Sequence, residues 1–272
     1  MPPLNLTSRL AAFPLILLVL VLQGCFHDDD DPAPAPVPDA TPAGYYLDKG
    51  EAFLSDGGSG TIDISDLQAM VHGNRIMMMS AKEELLYDGT ITDITGDEFT
   101  ADFTIYYQGE KPTESSATVT GQIIEGSSIT GTLNGSGFGS GSFSLLYAST
   151  NSEVAAISRI ENVTDNTGWI GIIGDSGTEQ EFAIDNGGIL LTTRNAAVGI
   201  FDSCDFVGTI TPITGSSLYR VSVNLSGCIG DVADGDYTGF AASRTQMNAD
   251  DRLVFAVSDG RYSPNTDFIL VD

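Results

Sequence analysis

The sequence predicts an all-β fold: two tandem, duplicated antiparallel β-barrels or β-sandwiches joined by one short helix. Three observations carry this. The octet Gly89-Thr90-Ile91-Thr92-Asp93-Ile94-Thr95-Gly96 recurs as Gly208-Thr209-Ile210-Thr211-Pro212-Ile213-Thr214-Gly215, seven of eight positions matching at an offset of 119. Apolar and polar residues alternate with period two after each copy, the pattern of a half-buried strand. The chain holds 31 glycines among many Ser and Thr residues, which breaks it into short strands and turns.

The first copy is expected over residues 44–149 and the second over 166–272. In the first, Phe99, Ala101, Phe103, Ile105 and Tyr107 alternate with polar residues, and further strands are expected at 117–124, 129–134 and 142–148. In the second, Tyr219, Val221, Val223 and Leu225 alternate, with strands expected at 168–173, 181–184, 188–192, 237–242, 253–257 and 267–271. Arg75 and Arg194 fall at the repeat offset, and Ile62 and Ile64 match Phe182 and Ile184 after a one-residue slip, so these are expected to be equivalent positions. Turns are marked by Asp56-Gly57-Gly58, Asn186-Gly187-Gly188, Asp234-Gly235-Asp236 and Asp259-Gly260. Ser80-Ala81-Lys82-Glu83 has the form of a capping box, but its counterpart Gly199-Ile200-Phe201-Asp202 is not helical, so a hairpin connection is expected at both. Between the copies, in the connector 150–165, Ser152–Val163 reads as a helix capped by Ser152, with Val154, Ile157 and Ile160 near one face. It is expected to pack on one barrel.

The first 24 residues have the parts of an export signal: Arg9 and the amino terminus, then the apolar run Leu10–Leu22. Thirteen residues span roughly 20 Å as a helix, short for an ~30 Å hydrocarbon core. Leu22-Gln23-Gly24-Cys25 follows, and this arrangement resembles the signal peptide and lipobox of a bacterial lipoprotein. The resemblance implies cleavage before Cys25 and a diacylglyceryl, N-acylated cysteine, a firm attachment compared with a single acyl chain. Under the same resemblance, Phe26 after the cysteine in place of Asp implies outer-membrane sorting, on the periplasmic face. The acidic block Asp28–Asp31 also resembles surface-export signals, so the cell surface stays open as an alternative. Residues 25–43 then read as a proline-rich tether of polyproline II character that builds no core and reaches at most roughly 55 Å.

The chain carries 37 acidic and 11 basic residues, a formal −26. Removing residues 1–24 takes away Arg9 and no acid, leaving 37 against 10, a formal −27. Such a body repels nucleic acid and attracts basic partners. Once Cys25 is lipidated, Cys204 and Cys228 remain, and two thiols in an oxidising envelope are expected to pair. Cys204 lies just before the second motif strand and Cys228 just after the strand that follows, neighbouring places in a hairpin. Leu85 stands at the site matching Cys204, so the bridge is a local staple and the fold does not depend on it.

Candidates for chemistry are few. His72 is the one histidine of the body, and no G-x-S-x-G elbow accompanies it. Gly135–Gly141 (GSGFGSG) lacks a P-loop lysine and is expected to be a flexible hairpin tip. Asp231, Asp234 and Asp236 place three carboxylates in six residues, a weak Ca²⁺ candidate that misses the EF-hand spacing. Met77-Met78-Met79 is expected to be a buried strand. No cofactor is expected. The layout, with Phe143-Ser144-Leu145-Leu146-Tyr147, Gly168-Trp169 and Cys204-Asp205-Phe206-Val207-Gly208, resembles two-domain lipoproteins of Gram-negative bacteria; the resemblance implies no activity. The expectation is therefore a non-catalytic, lipid-anchored envelope protein that binds another envelope component or a basic partner, or has a structural role. A lipocalin-like carrier of a small apolar ligand and an inhibitor of a basic enzyme such as lysozyme remain as alternatives, with a hydrolase behind them.

Overall fold

The strict alternation after the first motif becomes a ten-residue strand whose odd positions, Phe99, Ala101, Phe103 and Ile105, all point into one core. The computed structural model describes residues 39–48, 52–55, 60–148, 168–172, 179–194, 199–244 and 252–271. Cys25, where lipidation is expected, residues 26–38, the Asp56-Gly57-Gly58 turn and the predicted helix Ser152–Val163 lie outside the described residues.

The first barrel contains β1 (Gly44–Asp48), β2 (Phe53–Ser55), β3 (Thr61–Asp63), β4 (Gln68–His72), β5 (Arg75–Ser80), β6 (Leu85–Thr95), β7 (Glu98–Tyr107), β8 (Ser116–Ile124), β9 (Ser128–Gly135) and β10 (Gly141–Ala148). The order is β1-β4-β5-β6-β7-β8-β9-β10, and β10 closes on β1 through Tyr45↔Ala148 to Asp48↔Leu145. β2 and β3 form an inserted hairpin that pairs with the start of β10. The second barrel is an uninterrupted meander of β11 (Gly168–Ile172), β12 (Glu179–Ile184), β13 (Ile189–Arg194), β14 (Asp205–Pro212), β15 (Tyr219–Ser226), β16 (Gly235–Arg244), β17 (Arg252–Ser258) and β18 (Asn265–Val271), closed by β11 on β18. The chain is thus all-β with two eight-stranded barrels, as the sequence predicts. Closure leaves the barrel strands without free edges.

Both interiors are filled with side chains. Phe99, Phe103, Val119, Phe143, Leu145 and Met78 occupy the first. In the second, Phe182 touches Phe206 and Phe268 at ring-centroid distances of 5.2 and 4.7 Å, and Phe255 meets Phe268 at 5.7 Å. Gly135–Gly141 joins β9 to β10 as the expected hairpin tip: Gly137–Gly139 form a 3-10 turn, Phe138 stacks on Tyr107 at 4.6 Å, and the Tyr87 hydroxyl donates to the Phe138 carbonyl at 2.9 Å. An aromatic residue amid the glycines supplies the anchor. At Ser80–Glu83 the chain makes a turn, as expected, with the Glu83 amide donating to Ser80 Oγ at 3.0 Å.

Two of the repeat equivalences are corrected. Arg75 faces Thr90, but Thr209, the repeat partner of Thr90, faces Ile189. Arg194 instead faces Glu181 at the far end of β13. Likewise Ile62 belongs to the inserted hairpin, whereas Phe182 and Ile184 lie on β12, whose counterpart beside β5 is β4. The motif strands β6 and β14 are equivalent; the strands before them have drifted because the connections differ in length, 81–84 against 195–204.

A third cluster joins the barrels. Tyr45, Met70, Met77, Met79, Leu86 and Tyr106 from the outside of the first pack against Ile213, Leu218, Phe240, Ala242, Val254 and Ala256 from the outside of the second. Met78 alone of the three methionines faces the first interior. Both barrels therefore bury one outer face, and they belong to one compact unit, Val37–Asp272.

Candidate binding surface

Polar groups ring that junction. Arg75 grips Asp88 through two hydrogen bonds of 2.9 and 2.8 Å and reaches across to the Thr238 carbonyl at 3.1 Å and Ser258 Oγ at 3.3 Å. Ser258 donates back to Asp88, Asn265 Nδ2 donates to the Leu85 carbonyl at 3.0 Å, and the Ser263 amide donates to the Gly109 carbonyl at 2.9 Å. The guanidinium lies 5.9 Å from the Phe240 ring centroid. Burial, and then the Asp88 carboxylate, push the Tyr106 phenol up to about 12. These groups bind one barrel to the other and are spent in doing so.

His72 ends β4 beside the same junction, edge-on to Phe240 at 6.3 Å. Its Nδ1 is buried without a hydrogen-bond partner, so no Asp orients it and no hydroxyl is poised on that nitrogen. Cys204 and Cys228 form a disulfide with Cα atoms 4.1 Å apart, one residue before Asp205 and two after Ser226, the last ladder pair. Both sulfurs join Phe201 and Ala233 in the second core. Asp231, Asp234 and Asp236 do not converge: Asp234 Oδ1 accepts the Cys228 amide at 3.0 Å, and Asp236 Oδ1 accepts Asn224 Nδ2 at 2.9 Å. Among the described residues, no three His, Cys, Asp or Glu side chains are grouped to hold a metal ion.

The surface the sequence reading missed lies on the outside of the first barrel. β6 to β10 contain no Lys or Arg at all. Cross-strand rows of polar residues cover their outer face, Thr100↔Thr120↔Thr132 in one and Glu98↔Gln122↔Thr130 in the next. A register shift between Ile91 and Asp93 marks an irregularity in β6, of the kind that bends a strand. Beside it lies an open groove of about 530 Å³, lined by Asp93, Thr95, Glu98, Thr100, Thr120 and Gln122, with Phe99 and Gly121 beneath. The Phe99 ring sits 2.7 Å from where a Gly121 Cβ would be, so glycine permits that floor. The groove offers two carboxylates, three hydroxyls and an amide. Chemically it is an acceptor-rich site for cationic or hydrogen-bond-donating groups. The signal available in the sequence was the absence of any base across five successive strands.

No protein-family model matches this chain, and neither does any curated protein. Among solved structures it is similar to the immune modulator A of Aeromonas veronii, with a TM-score of 0.37 and 12% identity over 86% of this chain and 97% of that one. It is also similar to the isotype 1 transferrin binding protein B from serogroup B Neisseria meningitidis, with a TM-score of 0.27 and 10% identity over 80% of this chain and 60% of the Neisseria chain's length. Neither likeness is close enough to carry an argument, and the architecture above rests on the strand pairing itself.

Proposed function

We propose that this chain is a lipid-anchored envelope protein of non-catalytic, binding role, held to the outer membrane through Cys25 and recognising a partner with a basic surface. The observation that carries the reading is the base-free outer face of β6–β10 with its Asp93–Glu98 groove. In a body with 37 acidic residues, acidity alone distinguishes nothing; five strands without one compensating Lys or Arg, with a groove among them, do. The carrier alternative needs space inside a barrel, and aromatic and aliphatic side chains take up that space here. A hydrolase would need a base with a partner, and His72 Nδ1 has none.

The test is cross-linking capture from envelope extracts at low and high salt, comparing the wild type with the Asp93→Asn/Glu98→Gln variant. The expected result is a partner with a basic surface that is released by salt and lost with the variant. Capture that the variant leaves unchanged, or repeated captures with no partner, would contradict the proposal. Inhibition of lysozyme at low salt, abolished by the same variant, would identify the partner as a basic enzyme.

A further inference from the structure

The tether does not end where its composition suggests. Residues 39–42 lie against the first barrel. Asp39 Oδ1 accepts the Gly96 amide at 3.0 Å, and the Ala40 amide donates to the Gly96 carbonyl at 2.8 Å. Thr41 Oγ1 donates to Glu125 Oε1 at 3.1 Å. Pro42 is buried, and Ala40 packs on the first core. Gly96 is in the β6–β7 turn and Glu125 in the β8–β9 turn, so both holding points are at one pole of the barrel.

The second barrel packs along the flank of the first, and its β17–β18 turn meets the other pole. β7 runs ten residues from Glu98 beside the strap to Tyr107, a length of about 30 Å. Just past Tyr107, Gly109 and Glu110 pair with Ser263 and Tyr262 in the β17–β18 turn. A Cβ on Gly109 would collide with the Phe201 ring of the second core, so this contact is close and specific.

We infer that residues 39–42 form a docking strap that orients the anchored protein, with the β6–β7 and β8–β9 turns facing the lipid surface and the β17–β18 turn of the second barrel directed away from it. The inference rests on lipidation of Cys25, as proposed above. The thirteen residues between Cys25 and Asp39 then set a contour of at most about 50 Å between the lipid and this pole. Asp97, Glu98 and Glu125 at the pole are exposed acids, so the pole stands off from anionic headgroups and does not lie on them. Bound this way, the body turns the β17–β18 turn of the second barrel outward, about one strand length farther from the bilayer.

The test uses the full lipidated chain in phosphatidylcholine vesicles carrying an acceptor lipid. A donor fluorophore enters as a non-canonical residue at the exposed turn position Asp97 or Arg261, leaving both cysteines untouched. Acylation of Cys25 is verified first by mass, so a missing acyl group counts against the anchor and not against the strap. The expected result is stronger energy transfer from position 97 than from 261, with the difference reduced in the Asp39→Ala/Pro42→Gly variant. Equal transfer, or stronger transfer from 261, would overturn the inference. Hydrogen exchange on the unlipidated chain gives an independent reading: the Gly96 amide should be protected in the wild type and exchange at least tenfold faster in the variant. Equal exchange in the two would mean that there is no strap.

Discussion

The two copies of the repeated octet differ at one position, Asp93 against Pro212, and are put to different uses. In the first barrel the ladder passes the bulge and continues to Thr95↔Glu98, making a long arm that lines the groove and holds the strap at Gly96. In the second the strand pair ends at Pro212↔Tyr219, with one further backbone bond from the Ile213 amide to the Leu218 carbonyl at 2.9 Å. The chain then turns through Ile213 to Leu218, both buried in the barrel–barrel junction. One motif thus lines the outer groove, and its duplicate helps to weld the two halves together.

The largest effect is expected at the weld. Phe240→Ala removes the ring that meets His72 and Arg75 across the junction, and large-to-small changes of this kind cost about 3–5 kcal/mol. Denaturant unfolding followed by the single Trp169 in the second barrel and by a probe in the first should separate in this variant. Phe103→Ala, inside the first barrel, should destabilise without separating the two probes. Removing the disulfide with Cys204→Ser/Cys228→Ser opens a closure of 24 residues, worth roughly 3.5 kcal/mol on the chain-entropy view. Leu85 holds the matching place in the first barrel with packing alone, so the loss should register first in the second.

The paired motif glycines sharpen the contrast. A Cβ at Gly208 would strike the Ser222 carbonyl and lie 2.6 Å from Val223 Cα, both backbone, while at Gly89 it would meet only the Phe103 ring at 2.6 Å. A ring yields more easily than a ladder. Overpacking costs about 1–3 kcal/mol, and Gly208→Ala should fall at or above the top of that range and Gly89→Ala near the bottom, measured as a difference in unfolding midpoint at constant m.

The smallest effect is in pH. Asp267, on the junction side of β18, is bonded to Arg252 at 3.1 Å, while its Oδ1 is buried without a partner. Burial raises its carboxyl above the usual range, against the opposing pull of Arg252 and Arg244. The folded state therefore holds the proton more tightly than the unfolded state. The stabilising contribution is complete in acid below the ordinary Asp value and is lost as pH rises through the folded value. Asp267→Asn should be of equal or greater stability than the wild type near neutral pH, with the gap closing towards pH 4. A gap that widens in acid would show that the ion pair with Arg252 outweighs the burial of the carboxylate.

Much of the fold was legible because one face of a strand was wet. β7, β8, β14 and β15 alternate cleanly and fall where the pattern puts them. The junction was written in a different code: Ile76–Met79, Phe240–Ala242 and Leu253–Val257 are unbroken apolar runs, which report burial on both faces. Those runs marked buried strands but did not say that the second covering layer was the other copy. The inserted β2–β3 hairpin and the unequal connections displaced the register before each motif, so Arg75 and Arg194 matched in number and not in space. The disulfide was readable from two thiols flanking one hairpin. The groove was written only as the lack of Lys and Arg across β6–β10, while the register shift at Ile91/Asp93 leaves no pattern of its own.

The most direct test of a welded pair of barrels is differential scanning calorimetry of the wild-type chain from residue 25 onward. If the shared core of Met77, Met79, Leu86, Leu218, Phe240 and Val254 joins them, heating should give one transition whose calorimetric and van't Hoff enthalpies agree. Two resolved transitions, one for each barrel, would contradict it.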